Sequence, residues 1–432
     1  MKLNVKQTVL IGLSFASILA FWQFYDHMIP IILENHYRVS TLATNFIMSI
    51  DNILAVFMLP FFGALSDNVR TPLGKRTPFI LGGTVAAVLL MTLLAFVTES
   101  AGIAVFIVLL MLLLVTMSVY RSPAVAYMPD VTPKPLRSKG NAVINLVGYV
   151  GGIFSTIAIS LMVTQTVDAD GAVHYGSFIP IFLTVACFML VTVLVMVLTV
   201  NENRAVSSSG VDREDGEKSV EKKGKLDRGV KLSLGLILVS SFLWFCAYNG
   251  VTTSFSRYFE YRFELGAGSS SIFLTVATVA AIISFVPLGF VSGVLGRKKT
   301  VLLGIVLMTV CYISLIFISS PGWILYLLFS VVGVGWAAIN VNSFPMVVEM
   351  CSSGDIGRFT GLYYAFTMSA QIVTPLLSGL LIDENAIGLG YGALFPYATA
   401  FSCASLVTML LVRHGDSRPQ KKDSILESFE EL

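Results

Sequence analysis

"GALSDNVRTPLGKRTPF", residues 63–79, places four charged residues between two long apolar windows. Its "LGKR" at 73–76 returns as "LGRK" at 295–298, 222 residues later. Pro123 has a counterpart in Pro345 at the same offset. Because such matches recur at one spacing, they indicate that a unit of about half the chain has been duplicated.

The composition is that of an integral membrane protein. Of the 432 residues, 55% are hydrophobic and 12% charged, with a mean hydropathy of +0.81, whereas roughly a quarter of an ordinary soluble protein is charged. A bilayer core of about 30 Å needs roughly 20 apolar residues per helix, and the sequence contains twelve such windows. With the duplication, they predict an all-α membrane protein whose twelve transmembrane helices form two pseudo-symmetric six-helix bundles.

The windows divide the chain into two halves joined by a polar segment. We expect an N-terminal six-helix bundle at 1–200, a charged flexible cytoplasmic linker at 201–230, a C-terminal six-helix bundle at 231–413 and a cytoplasmic tail at 414–432. Most of the 28 Lys and Arg residues fall on loops of one side, which insertion retains in the cytoplasm. We therefore expect both termini to be cytoplasmic. We also expect a monomer, embedded in the lipid bilayer of the plasma (inner) membrane. Since the basic residues serve topology, the net charge of +2 indicates no nucleic acid partner.

The charged loops resemble those of a known family. Residues 63–79 are similar to the loop between helices 2 and 3 of the major facilitator superfamily, in the lengthened form of the sucrose-transporter-like proteins and the glycoside–pentoside–hexuronide:cation symporters. "YMPDVTPKPLRSKGNAVINLVGYVGG" at 127–152 and "FPMVVEMCSSGDIGRFTGLYYAF" at 344–366 are similar to the matching loops of that group. The resemblance implies the major facilitator fold and alternating access. It also implies a small-molecule substrate, a sugar or glycoside, and a coupling ion, H⁺ or Na⁺, with no other cofactor.

The same loops contain a candidate cytoplasmic gate. Gly63 permits close approach of helices, and Asp67 can accept hydrogen bonds from a neighbouring helix N-terminus. Lys75 and Arg76 stand where a helix begins on the cytoplasmic side. An alternative is that these charges only set topology. The candidate gate residues are Gly63, Asp67, Lys75, Arg76, Arg137, Glu349 and Arg358.

Four ionisable residues lie inside apolar windows, where function is the default hypothesis: Asp26, His27, Asp51 and Arg121. A carboxylate removed from water favours proton binding, and paired carboxylate oxygens can instead hold a hard cation. Asp51 and Asp26 are therefore candidates for cation coupling, with Na⁺ as the one metal ion considered, at Asp51. The resemblance implies that Asp26 is better placed for sugar. Alternatively, either aspartate only joins helices, Arg121 anchors its helix at the interface, and His27 is structural.

Neutral polar and aromatic residues provide the chemistry that a sugar needs, because rings stack on a pyranose face while amides and hydroxyls bond its edge. The eleventh apolar window, 358–382, carries Tyr364 and Gln371 in one stripe with Thr360, Thr367 and Thr374, at helical spacing. The candidate substrate-binding residues are Asp26, Trp22, Gln23, Tyr25, Asn52, Arg121, Asn145, Trp244, Tyr248, Asn249, Asn340, Tyr364 and Gln371, with Asn141 and Trp336 as further polar or aromatic neighbours.

These features predict a secondary active transporter that performs cation-coupled symport of a sugar or glycoside. The alternative is a facilitator or exporter of another small solute with the same fold. A membrane-embedded enzyme would need a constellation of His, Asp, Glu or Cys, so we expect no catalytic activity. No phosphate-binding G-x-x-x-x-G-K-[ST] sequence is present to use ATP. The identity of the solute, the ion and the direction of transport stay open at this stage.

Overall fold

The computed structural model describes residues 3–167, 173–209, 227–264, 267–351, 354–382 and 387–416. Twelve helices within these ranges are long and apolar enough to cross a membrane. Only one short strand pair accompanies them in the same part of the chain. The predicted all-α fold with twelve spanning helices is confirmed.

The N-terminal half consists of six long helices. They are α1 (Val5–Ile31, continued by a π-helical turn at Ile32–His36), α2 (Thr41–Asn68), α3 (Thr77–Ser100), α4 (Ile103–Val131), α5 (Arg137–Met162) and α6 (Ile179–Thr199). Strands β1 (Gln165–Val167) and β2 (Val173–Tyr175) pair antiparallel between α5 and α6. A 3₁₀ turn, Lys134–Leu136, precedes α5.

The C-terminal half repeats the arrangement. After the short helix α7 (Glu202–Ser209) come α8 (Arg228–Phe263), α9 (Ala267–Leu295), α10 (Arg297–Phe317), α11 (Trp323–Glu349), α12 (Ile356–Ile382) and α13 (Leu394–Leu411), the last preceded by a 3₁₀ turn at Tyr391–Ala393. Residues 202–209 and 228–230 of the expected linker are thus helical, the latter as the start of α8. The remainder at 210–226, and the tail after 416, lie outside the described residues.

Local sequence explains where several helices begin. The side chains of Asn4, Ser40 and Asp227 accept hydrogen bonds from the first-turn amides of α1, α2 and α8. Such caps satisfy amides that have no partner within the helix. Pro78 and Pro180 lie in the first turns of α3 and α6, where their missing N–H costs nothing.

The first half has its own core, whereas the core of the second half continues into residues of the first such as Val125 and Ile144, and the outer surface is apolar. Phe24 packs edge to face on Phe182 in the first half, and Phe259 on Phe329 in the second, with ring centroids 4.7 and 6.0 Å apart. Phe57 on α2 remains 71% exposed. Outward-facing apolar side chains are expected where the surrounding solvent is hydrocarbon.

The two halves meet at a close crossing of α2 with α12. A Cβ added to Gly361 would lie 2.3 Å from the carbonyl oxygen of Leu59, and one added to Gly63 would lie 2.1 Å from that of Gly357. The two backbones therefore touch. Gly63 permits close helix approach, as its sequence context predicts, and glycine is required on both helices.

We expect Gly361→Ala to separate α2 from α12 and to lower the stability of the closed arrangement. The added methyl group meets backbone atoms, so about 1–3 kcal/mol is expected for the overpacking. Thermal unfolding of the purified protein in detergent measures the effect. Gly379→Ala on the same helix is the control, since nothing lies within 4 Å of its Cβ position. Equal melting temperatures for the two variants would contradict the close crossing.

Candidate functional site

A cationic side chain lies between the halves, bracketed by two aromatic rings. The Arg121 guanidinium carbon on α4 is 5.1 Å from the ring centroid of Trp22 on α1 and 5.4 Å from that of Tyr364 on α12. Each contact of this kind contributes about 0.5–2 kcal/mol. Because Tyr364 belongs to the other half, Arg121 joins the two bundles. Its position ten residues before the end of α4 places it inside the spanning segment.

Two carboxylates complete this acid–arginine cluster, which we define as Trp22, Asp26, Asp51, Arg121 and Tyr364. Asp51 repels Asp26, and both carboxylates attract Arg121. The amide of Asn52 donates to Asp51 Oδ1 at 2.8 Å. Asp26 is exposed and Asp51 is half-buried. With both acids ionised, the cluster carries one more negative than positive charge, and this excess is most costly at the less exposed Asp51.

Polar atoms without partners surround the acid–arginine cluster. Trp22 Nε1, the Tyr25 hydroxyl and Asn52 Oδ1 are buried and have no hydrogen-bond partner among the described residues. Tyr25 packs edge to face on Trp22 at 5.4 Å and interacts electrostatically with both acids. Buried polar groups nearly always have a partner. Trp22 and Asn52 are half-buried, so their two atoms can reach a solute, whereas Tyr25 is only 1% exposed and lies behind them in the core.

Two other predicted ligands of the N-terminal half, Gln23 and Asn145, make hydrogen bonds within their own helices. Gln23 is half-buried, and its carbonyl accepts from the His27 ring at 2.9 Å, which agrees with a structural role for His27. Asn145 on α5 donates to the carbonyl and side-chain oxygens of Asn141, at 2.7 and 3.2 Å. Asn145 is thus bonded within its own helix.

Among the predicted ligands of the C-terminal half, one is buried in the core and the others are half-buried. Trp244 is only 2% exposed and packs on Phe245 within the core of its half. Tyr248 and Asn249 are half-buried, and Tyr248 lies against Trp336. Asn340 donates to the carbonyl of Trp336 at 3.4 Å.

The polar stripe on α12 also contains both buried and half-buried residues. The hydroxyls of Thr360, Thr367 and Thr374 bond carbonyls of their own helix at 2.7, 3.0 and 2.6 Å. Thr can satisfy its hydroxyl in this way within a helix, so these buried residues need no wet surface. Tyr364 and Gln371 are half-buried and two turns apart.

Contacts between the halves concentrate at the end of the helices that carries loops 69–76 and 132–136 and the first turns of α10 and α12, which we call the basic face. The Asp67 oxygens accept from the amides of Gly357 and Arg358 at 2.9 Å each. Asp67 thus binds the N-terminus of α12, as expected, and Arg358 contributes its backbone while its side chain is exposed. We call this contact the carboxylate seam.

Buried ion pairs orient Asp67. The Arg76 guanidinium bonds Asp67 and also Asp130 on α4, the latter at 2.7 Å, and Lys75 pairs with Asp130 at 2.9 Å. Burial alone lowers the pKa of Arg76, but Asp130 and Asp67 outweigh it and hold this pKa above its ordinary value. Arg76 therefore stays charged. Asp130 was missed in the sequence because it resembles one more loop charge.

A second contact, the carbonyl seam, joins α5 to α11. The Asn141 amide donates to the carbonyls of Asn340 and Val341 at 3.0 Å each, and Arg137 donates to that of Val348 at 2.9 Å. Pro345 lacks an N–H, so the Val341 carbonyl has no helical donor and is open to Asn141. Asn141 is therefore a contact between the halves.

Arg297 reinforces the carbonyl seam from the C-terminal half. Its guanidinium bonds Glu349 on α11 and the carbonyl of Lys134 in the first half. Nearby, the Lys139 ammonium lies 4.3 Å from the ring centroid of Phe290 on α9. With the carboxylate seam, these contacts close the basic face.

In each half, an acidic residue that follows the sixth spanning helix caps the N-terminus of the third spanning helix, α3 or α10. Glu202 on α7 accepts from the amides of Lys75, Arg76 and Thr77 at 2.8–2.9 Å. Asp416 accepts from the amide of Arg297 at 2.8 Å. These caps hold the gate arginines in place, and a carboxylate at a helix N-terminus is favoured by the helix dipole.

We expect Glu202→Gln to destabilise the N-terminal half by about 1–3 kcal/mol, because one amide oxygen cannot accept all the bonds of the buried carboxylate. A lower melting temperature in detergent is the readout. Glu260→Gln, at an exposed position of α8, is the matched control and is expected to be neutral. A Glu202 variant as stable as the control would show that this cap is dispensable.

Two six-helix halves that enclose charged residues define a membrane transporter of the two-bundle class. The chain matches the family model of the Major Facilitator Superfamily over residues 11–375 and, in a second match, 262–430. It belongs to the major facilitator superfamily, whose members are generally transporters without enzymatic activity.

Solved structures share the fold. E. coli FucP, a fucose:proton symporter solved in an outward conformation, has a TM-score of 0.72 at 11% identity, covering 95% of this chain and 99% of FucP. The proton:xylose symporter XylE has 0.67 at 13%, covering 95% of both chains. The human organic anion transporter MFSD10 has 0.69 at 16%, covering 95% and 100%. At these identities the similarity establishes the fold alone.

Proposed function

We propose that this protein is a secondary active transporter that couples a cation, H⁺ or Na⁺, to the symport of a sugar or glycoside. We assign it to the sucrose-transporter-like and glycoside–pentoside–hexuronide:cation symporter branch, which its loops resemble. The observation that carries the proposal is the acid–arginine cluster, in which Arg121 lies between a ring of each half and interacts electrostatically with two carboxylates.

The charge of the cluster supports coupling to a cation. Asp26 and Asp51 exceed Arg121 by one negative charge, and a proton or Na⁺ at Asp51 removes this excess. A neutral Asp51 attracts Arg121 less, so the guanidinium, which makes no hydrogen bond to any described residue, turns more readily toward sugar oxygens. Ion and sugar each favour the state that the other requires, which is the thermodynamic definition of coupling.

The sugar is expected to lie against Trp22, with Asp26 accepting from its hydroxyls. Trp22 Nε1 and Asn52 Oδ1 supply unpartnered polar groups for its edge. Tyr364 and Gln371 approach from the other half, so a bound sugar contacts both bundles. Its binding can therefore change how the halves pack.

Alternating access requires that the basic face open and close. We place this face in the cytoplasm, with both termini there, in the plasma (inner) membrane, and we expect a monomer. The carboxylate and carbonyl seams close it in the described state. Their rupture, with closure of the opposite end, would deliver the solute to the cytoplasm.

Uptake into proteoliposomes tests the proposal. A panel of labelled mono- and disaccharides and methyl glycosides is offered with pH and Na⁺ gradients imposed separately. Accumulation of at least one sugar under one gradient, abolished by dissipating that gradient, is expected. Absence of accumulation under both gradients would refute symport.

One observation favours a second candidate, a facilitator or exporter of an organic anion. The Arg121 guanidinium makes no hydrogen bond to any described residue, so a solute carboxylate could occupy its donors. Anion flux that ignores both gradients and survives Asp51→Asn would favour this candidate over sugar symport.

A further inference from the structure

Three segments of the chain meet at one corner of the basic face: the start of α8, the start of α10 and the residues that follow α13. The Ser233 hydroxyl on α8 accepts from the backbone amides of Arg413 and His414 at 3.2 Å each, and it bonds the His414 ring at 2.9 Å. Lys298 on α10 donates to the carbonyl of Val412 at 2.7 Å. Cationic side chains are favourable at the last carbonyls of a helix. These contacts therefore fix the three segments relative to one another.

Four basic side chains at this corner are exposed, and none of them forms an ion pair with any described residue. They are Arg228, Lys231, Lys299 and Arg413, which we call the cationic corner. The acids next to them, Asp227 and Asp416, accept from the first amides of α8 and α10. Four positive charges therefore stand beside two negative ones that already cap helices. The surface of the second half carries an excess of positive charge here.

Membrane topology alone does not explain these charges. Insertion retains basic residues on one side of the membrane whatever their arrangement, and the duplicated unit offers a comparison. Only Arg228 has a basic counterpart in the first half, Lys6, at the offset of 222. Val9 and Thr77 match the two lysines at this offset, and Asn201 follows α6 where the second half has an arginine after α13. The cationic corner is therefore particular to the second half.

Exposed leucines lie one helical turn from the basic residues of the cationic corner. Arg228 and Leu232 are four residues apart on α8, and Lys299 and Leu303 are four apart on α10, so each pair lies on one side of its helix. Leu232 and Leu303 are 66% and 44% exposed, and Leu411, the last residue of α13, is 59% exposed. A molecule with an anionic group and a long apolar part would match both surfaces.

We propose that the cationic corner binds the headgroup of one anionic phospholipid, whose acyl chains lie along the exposed leucines of α8, α10 and α13. Basic residues at a membrane surface attract anionic lipids, and an arginine can donate two parallel hydrogen bonds to a phosphate. The inference does not depend on which solute or ion is transported. Because all three segments belong to the second half, the lipid holds that half together without joining it to the first.

The chemistry of the cationic corner separates an anionic phospholipid from other ligands. Phosphatidylcholine carries its own cation, which the four basic residues repel. The exposed leucines keep the corner at the level of the lipid headgroups. An anion that is anchored in the bilayer is therefore present there at a high effective concentration, whereas a soluble phosphate is not.

Two lipids that differ in headgroup charge test the site. Phosphatidylglycerol and phosphatidylcholine with the same acyl chains are titrated into the purified full-length protein in detergent, and bound lipids are counted by native mass spectrometry. The first molecule of phosphatidylglycerol is expected to bind about tenfold more tightly than the first of phosphatidylcholine, with the preference confined to one molecule. The combined variant Arg228→Gln, Lys231→Gln and Arg413→Gln should reduce this ratio to about one.

The matched control removes the same charge from exposed positions of the first half, through Lys6→Gln, Arg70→Gln and Arg204→Gln. It should leave the ratio unchanged. Glycerophosphoglycerol, which has the headgroup but no acyl chains, should not compete with the lipid. Equal melting temperatures of the two combined variants in phosphatidylcholine nanodiscs are expected, because neutral lipid does not use the cationic corner.

Four results would overturn the inference. Equal affinity of the unaltered protein for the two lipids would mean that no anionic site exists. The same loss of preference in both combined variants would indicate diffuse attraction by net charge, and competition by glycerophosphoglycerol would indicate a site for a soluble anion. A lower melting temperature of the corner variant than of the control in phosphatidylcholine would show that acidic residues of this chain occupy the corner.

Discussion

Asp51→Asn is expected to abolish gradient-driven sugar accumulation, by at least about tenfold, while exchange of sugar across the membrane at equal concentrations persists. The amide removes the excess negative charge of the acid–arginine cluster permanently, so the carrier no longer needs an ion to neutralise it. Sugar binding and alternation continue, but energy from the gradient is not transferred.

Proteoliposome uptake with and without the imposed gradient, together with counterflow of labelled sugar, separates these two activities. Asp227→Asn is the matched control, because Asp227 caps α8 at an exposed position and asparagine caps equally well. It should retain both activities. Full accumulation by the Asp51 variant would remove this residue from the coupling site.

Asp67→Asn is expected to open the basic face. The substitution removes the ion pair with Arg76. The Asp67 carboxylate accepts from two backbone amides of α12, and in the variant the asparagine NH₂ group, which cannot accept, would face one of them. A hydrogen bond to a charged group contributes about 1.5–3 kcal/mol. Loss of one such bond shifts a two-state equilibrium by about tenfold or more.

Spin labels at two exposed positions of the basic face, Arg70→Cys in the first half and Lys299→Cys in the second, report the change as a distance distribution. The five native cysteines are replaced beforehand. A longer distance is expected in the Asp67 variant and an unaltered one in Asp227→Asn. The same distribution in both would mean that the carboxylate seam does not hold the gate.

The number and type of helices were predictable because each depends on the local run of apolar residues. The charged residues Asp26, Asp51 and Arg121 could be singled out in the sequence, since a charge within such a run is conspicuous, and they interact electrostatically. Their roles in transport stay a prediction. Aromatic residues carry no comparable signal. Trp244, which is buried in a core, and Trp336, which is half-buried against Tyr248 and Phe285, occupy similar sequence contexts.

The remaining contacts depend on residues distant in sequence. Asn141 bonds Val341 because Pro345, in the other half, leaves that carbonyl open. In the sequence Glu202 is one of many charges in a polar segment, and only the fold of α7 brings it to the start of α3. No property of a single segment reveals such pairings, because they arise from the packing of whole helices.

The duplicated halves do not meet through equivalent chemistry, and this asymmetry affects how the protein can evolve. The carboxylate seam depends on one side chain, Asp67, whereas the carbonyl seam distributes its bonds over Arg137, Asn141 and Arg297. A single nucleotide change at the codon of Asp67 can therefore alter the equilibrium between the closed and the open basic face. The second seam retains two of its three donor side chains after any single substitution, so we expect it to tolerate one better.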